Sequence, residues 1–134
     1  MTDILDLNPN DVPEYRELPE GDYLGNVIDY TTGVSQQGSD WVQFSFRVSE
    51  PLSGQDMSNV QTNLRVFSKR LYLTEKARKI TTNDISRFGV PKLDSYRDWF
   101  DAITGAPVKF TVTLETNEKT GKKYRTVNKW SAAS

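Results

Sequence analysis

Trp41-Val-Gln-Phe-Ser-Phe-Arg-Val48 alternates strictly, with Val42, Phe44, Phe46 and Val48 on one face and Trp41, Gln43, Ser45 and Arg47 on the other. A period of two over eight residues is the signature of a half-buried β-strand, because successive side chains point to opposite sides of a sheet. One face is core and the other is polar. Trp41 falls by parity on the polar face, which is an unusual place for the largest apolar ring.

Upstream, Thr32 to Asp40 is a polar loop with two glycines. Tyr23 to Tyr30 before it reads as a strand, in which Gly25 marks a bulge or a close backbone approach. Downstream, Pro51 to Asn59 is a second loop, and Val60 to about Lys69 reads as a third strand. Val60, Thr62, Leu64 and Val66 take one face of it; Gln61, Asn63, Arg65, Phe67 and Lys69 take the other. Helical signals follow. Thr74 precedes Glu75-Lys-Ala-Arg-Lys79, Thr81 and Asp84 have capping-box spacing, and Gly89 stands at the exit. Tyr96, Trp99, Phe100 and Ile103 recur at i, i+3, i+4 and i+7, with Asp94 as the N-cap and Gly105 as the stop. Strand alternation returns in Val108, Phe110, Val112 and Leu114. Thr116 to Lys122 is a charged turn, and Lys123 to Trp130 is a fifth strand.

The chain has 134 residues, enough for one domain burying roughly two-thirds of its unfolded surface. With no Cys and no His, it lacks the means for disulfides, thiolate or Ser-His-Asp nucleophiles, and Cys- or His-ligated zinc. The acids show no metal-binding grouping, since Asp94, Asp98 and Asp101 follow helix spacing. A non-enzymatic protein without metal or cofactor is expected. No stretch is apolar enough to span a bilayer, and the acidic start Met1-Thr-Asp-Ile-Leu-Asp6 lacks the regions of a signal peptide, so a cytoplasmic location is expected.

The net charge of −1 conceals an asymmetry. Residues 1–40 carry nine acids against Arg16 alone, a net of −8; residues 41–134 carry sixteen basic and nine acidic residues, a net of +7. Residues 1–20, with Pro13 and Pro19 and no periodicity, read as a loosely ordered acidic arm, residues 21–130 as the folded domain and 131–134 as a short tail.

Three strands, a helical segment and two strands are the element order of the OB-fold, a five-stranded barrel with its helix between strands three and four. Such a barrel presents strands two and three and the loops joining strands one to two and four to five. In those segments aromatic rings are interleaved with cations. Trp41 shares a face with Arg47, Phe67 lies between Arg65 and Lys69, and Lys122, Lys123, Tyr124 and Arg125 crowd the last hairpin. Rings that stack on bases and cations that neutralise phosphates are what single-stranded nucleic acid requires. The same residues admit plainer roles. Trp41 can cap one end of a barrel, Phe67 can pack under the helical segment, and Tyr124 can cover lysine stems. Trp130 reads as a barrel closure and Trp99 and Phe100 as core. Lys76, Arg78 and Lys79 read as a solvated helix face.

Pro19-Glu-Gly-Asp-Tyr23, Ser35-Gln-Gln-Gly38 leading into Trp41 to Val48, Gly105-Ala-Pro-Val108 and Tyr124-Arg-Thr-Val-Asn128 carry a resemblance in their order and spacing. Together they resemble the small phage-encoded single-stranded-DNA-binding proteins of the OB class, found in phage replication and recombination modules. The resemblance implies sequence-independent coating of single-stranded DNA in replication, recombination or repair. The chain departs from many such proteins in ending Lys129-Trp-Ser-Ala-Ala-Ser134 rather than in an acidic tail. The acidic arm is then the candidate for recruiting replication or recombination proteins, or for folding over the basic groove. The alternative is an OB-type protein-interaction module of a virion or replisome assembly, in which the same Trp, Tyr and Arg residues serve as interface anchors.

Overall fold

The computed structural model describes residues 4–11, 14–60 and 65–133. Six strands and two helices follow in order: β1 (Gly21–Val34), β2 (Asp40–Pro51), β3 (Arg65–Phe67), β4 (Leu71–Tyr72), α1 (Arg78–Ser86), α2 (Tyr96–Ile103), β5 (Pro107–Thr116) and β6 (Lys123–Ala132). The strands form one antiparallel sheet in the order β3-β2-β1-β5-β6, with β4 also beside β2. Among the described residues no helix is long and apolar enough to cross a membrane.

The strand β1 serves two neighbours. It pairs with β2 from Tyr23 to Val34 and with β5 from Gly21 to Asn26. Gly25 makes this possible. A Cβ there would fall on the Arg47 carbonyl oxygen and against the Phe110 ring, and the register slips between Leu24 and Gly25. The bulge bends the strand so that its first half can face both partners.

The alternation of β2 buries Val42, Phe44 and Phe46 completely. The Phe44 and Phe46 rings meet those of the segment after α1 and of β5, with Phe44–Phe88 centroids 4.9 Å apart and Phe46–Phe110 5.0 Å, and Phe88 stacks on Trp130 of β6 at 5.3 Å. Burying each such side chain contributes about 1.5–3 kcal/mol. Trp99, Phe100 and Ile103 close the same core from α2, as their spacing predicts, so the core roles read for Trp99 and Phe100 hold; Trp130, read as a barrel closure, lies in this core as well.

Two helix boundaries differ from expectation. Ser95, not Asp94, caps α2, its Oγ accepting from the Asp98 amide at 3.1 Å. Thr81 lies inside α1 and is buried, donating its hydroxyl to the Tyr72 carbonyl at 2.6 Å; the turn into the helix is held by Thr74 instead.

The strands form a six-stranded open sheet that is not closed into a barrel along the described residues. Part of the third strand, Gln61 to Leu64, lies outside the described residues. The rest is short because Ser68 takes over the local bonding. Its Oγ accepts the Phe44 amide at 3.0 Å and donates to the Lys69 carbonyl at 2.8 Å. The chain then turns, the Lys69 amide reaches Val127 of β6, and pairing with β2 resumes at Leu71. The edges β3 and β6 meet at a single parallel bridge, Ser68–Val127, rather than along a ladder.

The arm expected to be loose through residue 20 joins the body from Arg16. Arg16 bridges Val60 and pairs with Asp56 at 3.1 Å, and Leu18 is buried in the core. The Pro19-to-Tyr23 motif is a clamp, because the fully buried Tyr23 donates its hydroxyl to the Pro19 carbonyl at 2.5 Å. Burial raises the pKa of this phenol, so it stays protonated.

Candidate nucleic-acid interface

The outer face of β2 is organised in cross-strand rows. Gly33, Trp41 and Tyr72 form one, Asp29, Ser45 and Phe67 a second, and Asn26, Arg47 and Arg65 a third. Residues sharing a row project from the same face, so pairing alone sets Trp41 beside Tyr72. Trp41 is half-buried. A Cβ at Gly33 would collide with its indole, so the glycine leaves room for the ring. The Arg70 guanidinium lies 4.2 Å over the ring centroid, and the indole Nε1 is buried without a hydrogen-bond partner.

Beside this row runs an open groove of about 770 Å³ between β2–β4 and the β5–β6 hairpin. Phe67, Lys69, Tyr124 and Arg125, predicted from separate segments, line it together. Arg70, Tyr72, Gln43, Glu115 and Asn117 line it as well. Three of its rings are open to solvent, with Phe67 43%, Tyr72 39% and Tyr124 46% exposed. Phe67 therefore does not pack under the helical segment.

Glu115 orders the hairpin side of the groove. Its Oε2 accepts the Tyr124 hydroxyl at 3.0 Å and its Oε1 accepts Asn128 Nδ2 at 2.8 Å. That hydrogen bond raises the Tyr124 pKa. The turn beyond is held by Asn117, whose amide donates to the Lys122 carbonyl at 2.8 Å and whose carbonyl accepts the Gly121 amide at 2.7 Å.

Other predicted residues are placed differently. Arg47 and Arg65 stand opposite each other in the third row, outside the groove lining, and Arg65 is 3.5 Å from Asp29. Lys122 and Lys123 are exposed on the hairpin but do not line the groove. Arg125 does line it, yet its guanidinium is already engaged. It donates to Glu17 at 2.7 Å and to the Leu18 carbonyl, so the arm's end occupies this cation.

Arg70 and Tyr72 escape a parity reading because the outward phase shifts between Lys69 and Arg70. Val66 and Ser68 point inward, then Leu71 does, leaving two consecutive cations exposed. The signal available in the sequence was the single apolar Leu71 flanked by Arg70 and Tyr72.

Fold and groove together define a small antiparallel β-domain with an exposed aromatic and cationic cleft. The chain belongs to the DUF669 family, described as a protein of unknown function, whose match spans residues 5–134. No curated protein matches the chain.

Proposed function

We propose that this protein is an OB-type domain that binds single-stranded DNA without sequence preference, in the cytoplasm and in the setting of phage replication, recombination or repair. The strand order supports the OB reading. With β3 and β4 taken as one broken third strand, the sheet runs 3-2-1-4-5, and the parallel Ser68–Val127 bridge lies where strands three and five of a partly open barrel would close. The observation that carries the binding reading is the groove itself. Phe67, Tyr72 and Tyr124 expose their rings around Lys69 and Arg70, next to Trp41. Stacking on such rings contributes about 1–3 kcal/mol per base and accepts any base, while the cations neutralise phosphates.

Anisotropy of a labelled oligo-dT of about 30 nucleotides, titrated at rising salt with duplex as competitor, tests this. Tight binding that salt weakens and duplex does not displace is expected. No binding at low salt would overturn it. Tryptophan emission gives a second readout. Trp99 and Trp130 are buried, with their indole N–H groups bonded to the Val90 and Asp84 carbonyls, so quenching by DNA reports on Trp41.

A protein-binding reading has one specific support. The groove cation Arg125 holds a carboxylate of this chain, as an acidic peptide from a replication or recombination partner would. Binding of such a peptide at the Arg125 end of the groove, with no affinity for oligo-dT, would favour it. The acidic arm is the complementary candidate for recruiting basic partners.

A further inference from the structure

Further hollows lie next to the groove beyond Tyr72. Tyr72 pairs across the ladder with Trp41, and Arg70 covers Trp41 from the groove side. On its other side Trp41 lines a hollow of about 560 Å³ with Tyr96 and Arg78. Arg78 also borders the next hollow, of about 780 Å³, where α1 and the segment after it present Lys79, Ile80 and Lys92. The three depressions are therefore adjacent: Arg70 and Tyr72 of the first lie beside Trp41 of the second, and Arg78 borders both the second and the third.

Charge and exposure along this extension match the groove. Arg78, Lys79 and Lys92 face two acids, Asp40 and Glu75, across the two hollows. The Arg78 guanidinium is steadied at the junction, its Nε and Nη2 each 3.4 Å from the Leu73 carbonyl. Ile80 is 70% exposed among these cations, whereas α1 buries Thr81 and Ile85. An apolar side chain left open between cations offers contact to a sugar or base edge beside neutralised phosphates.

We propose that single-stranded DNA, after crossing the β2–β4 groove, passes Trp41 and continues onto α1, where Arg78, Lys79 and Lys92 form a second phosphate-binding segment. This rests on the single-stranded-DNA reading and extends its footprint. The helix face that sequence alone assigns to solvent becomes the distal half of the binding track.

The test compares wild type with the combined Arg78→Gln, Lys79→Gln and Lys92→Gln variant on oligo-dT of about 4 and about 16 nucleotides, lengths at the limits for a single OB domain. All three side chains are exposed and glutamine preserves helix propensity, so circular dichroism is expected to be unchanged. For the longer oligomer the variant is expected to bind at least tenfold more weakly at low salt. Its log–log salt slope is expected to be shallower by about 2, from three fewer phosphates at roughly 0.7 each. The loss for the short oligomer is expected to be several-fold smaller. Equal losses for both lengths, or an unchanged slope for the longer one, would overturn the extension while leaving the groove reading intact. Wild type that binds neither length would remove the groove reading and the extension together.

Discussion

Phe88 and Trp130 inside the sheet and Phe67 and Tyr124 outside it put the same chemistry to opposite uses. In the interior, rings stack on rings, and the polar handles of the buried Tyr23, Trp99 and Trp130 are bonded to backbone. Trp99 and Trp130 donate to carbonyls at 2.9 Å, and Tyr23 donates to Pro19. On the outer band the rings keep a solvent face. Tyr124 is tied to the side chain of Glu115 rather than to backbone, and Trp41 keeps an unpartnered donor under Arg70. The interior is saturated and holds the fold, whereas the outer band keeps surface for another molecule to cover.

The widest separation between the two regions is expected in stability. Phe46→Ala removes a fully buried ring and is expected to cost about 3–5 kcal/mol, read from denaturant midpoints. A cost below about 1 kcal/mol would mean that the core does not rest on this strand. Phe67→Ala and Tyr124→Ala are expected to do the reverse. Stability changes by less than about 0.5 kcal/mol, and oligo-dT affinity falls by about 1–3 kcal/mol each, roughly 5- to 150-fold. Unfolding by either variant would erase the contrast.

A smaller effect tests whether the arm competes for the groove. Deleting residues 1–18 is unsuitable, because Leu18 is in the core. Glu17→Gln removes the ion pair to Arg125 instead, leaving its bond to the Leu18 carbonyl. Since Glu17 is mostly exposed, the ion pair is worth about 1 kcal/mol at most, and DNA affinity at low salt is expected to rise up to about fivefold. Unchanged affinity would sink the competition.

The smallest effect is a titration. The hydrogen bond and nearby charge of Glu115 raise the Tyr124 pKa, so the contact is present below the ordinary phenol value of about 10 and is lost as pH rises through the folded value. NMR of the Tyr124 ring is expected to show ionisation above that of an exposed tyrosine, moving back toward the ordinary value in Glu115→Gln. A Tyr124 that titrates normally in the wild type would mean the hydroxyl does not rest on Glu115.

Legibility followed locality. Gly25 was readable as a close approach because it interrupts an alternating strand, and α2 was readable from the spacing of its apolar residues over two turns. Leu18 was not, since one apolar residue in an acidic proline-flanked segment has no period; only its seat beside β6 makes it core. Phe67 and Tyr124 were legible as rings flanked by cations, but neither Phe67's exposure nor their being neighbours was, because 56 residues separate them. Arg47 and Arg65 satisfied the same parity as Phe67 yet stand outside the groove lining.

By itself the sequence determined the alternating strands around Phe44 and Phe110, the amphipathic face of α2, the exclusion of Cys and His chemistry, and a charge divided between an acidic front and a basic remainder. Those are properties of neighbours along the chain, where side-chain direction repeats every two or 3.6 residues. Tertiary structure decided the rest. It broke the third strand at Ser68, brought Arg70 and Tyr72 to the groove, engaged Arg125 with Glu17, and left β3 and β6 touching at one bridge. Those outcomes depend on which strand edges meet and in what register, and long-range pairing carries no period along the chain.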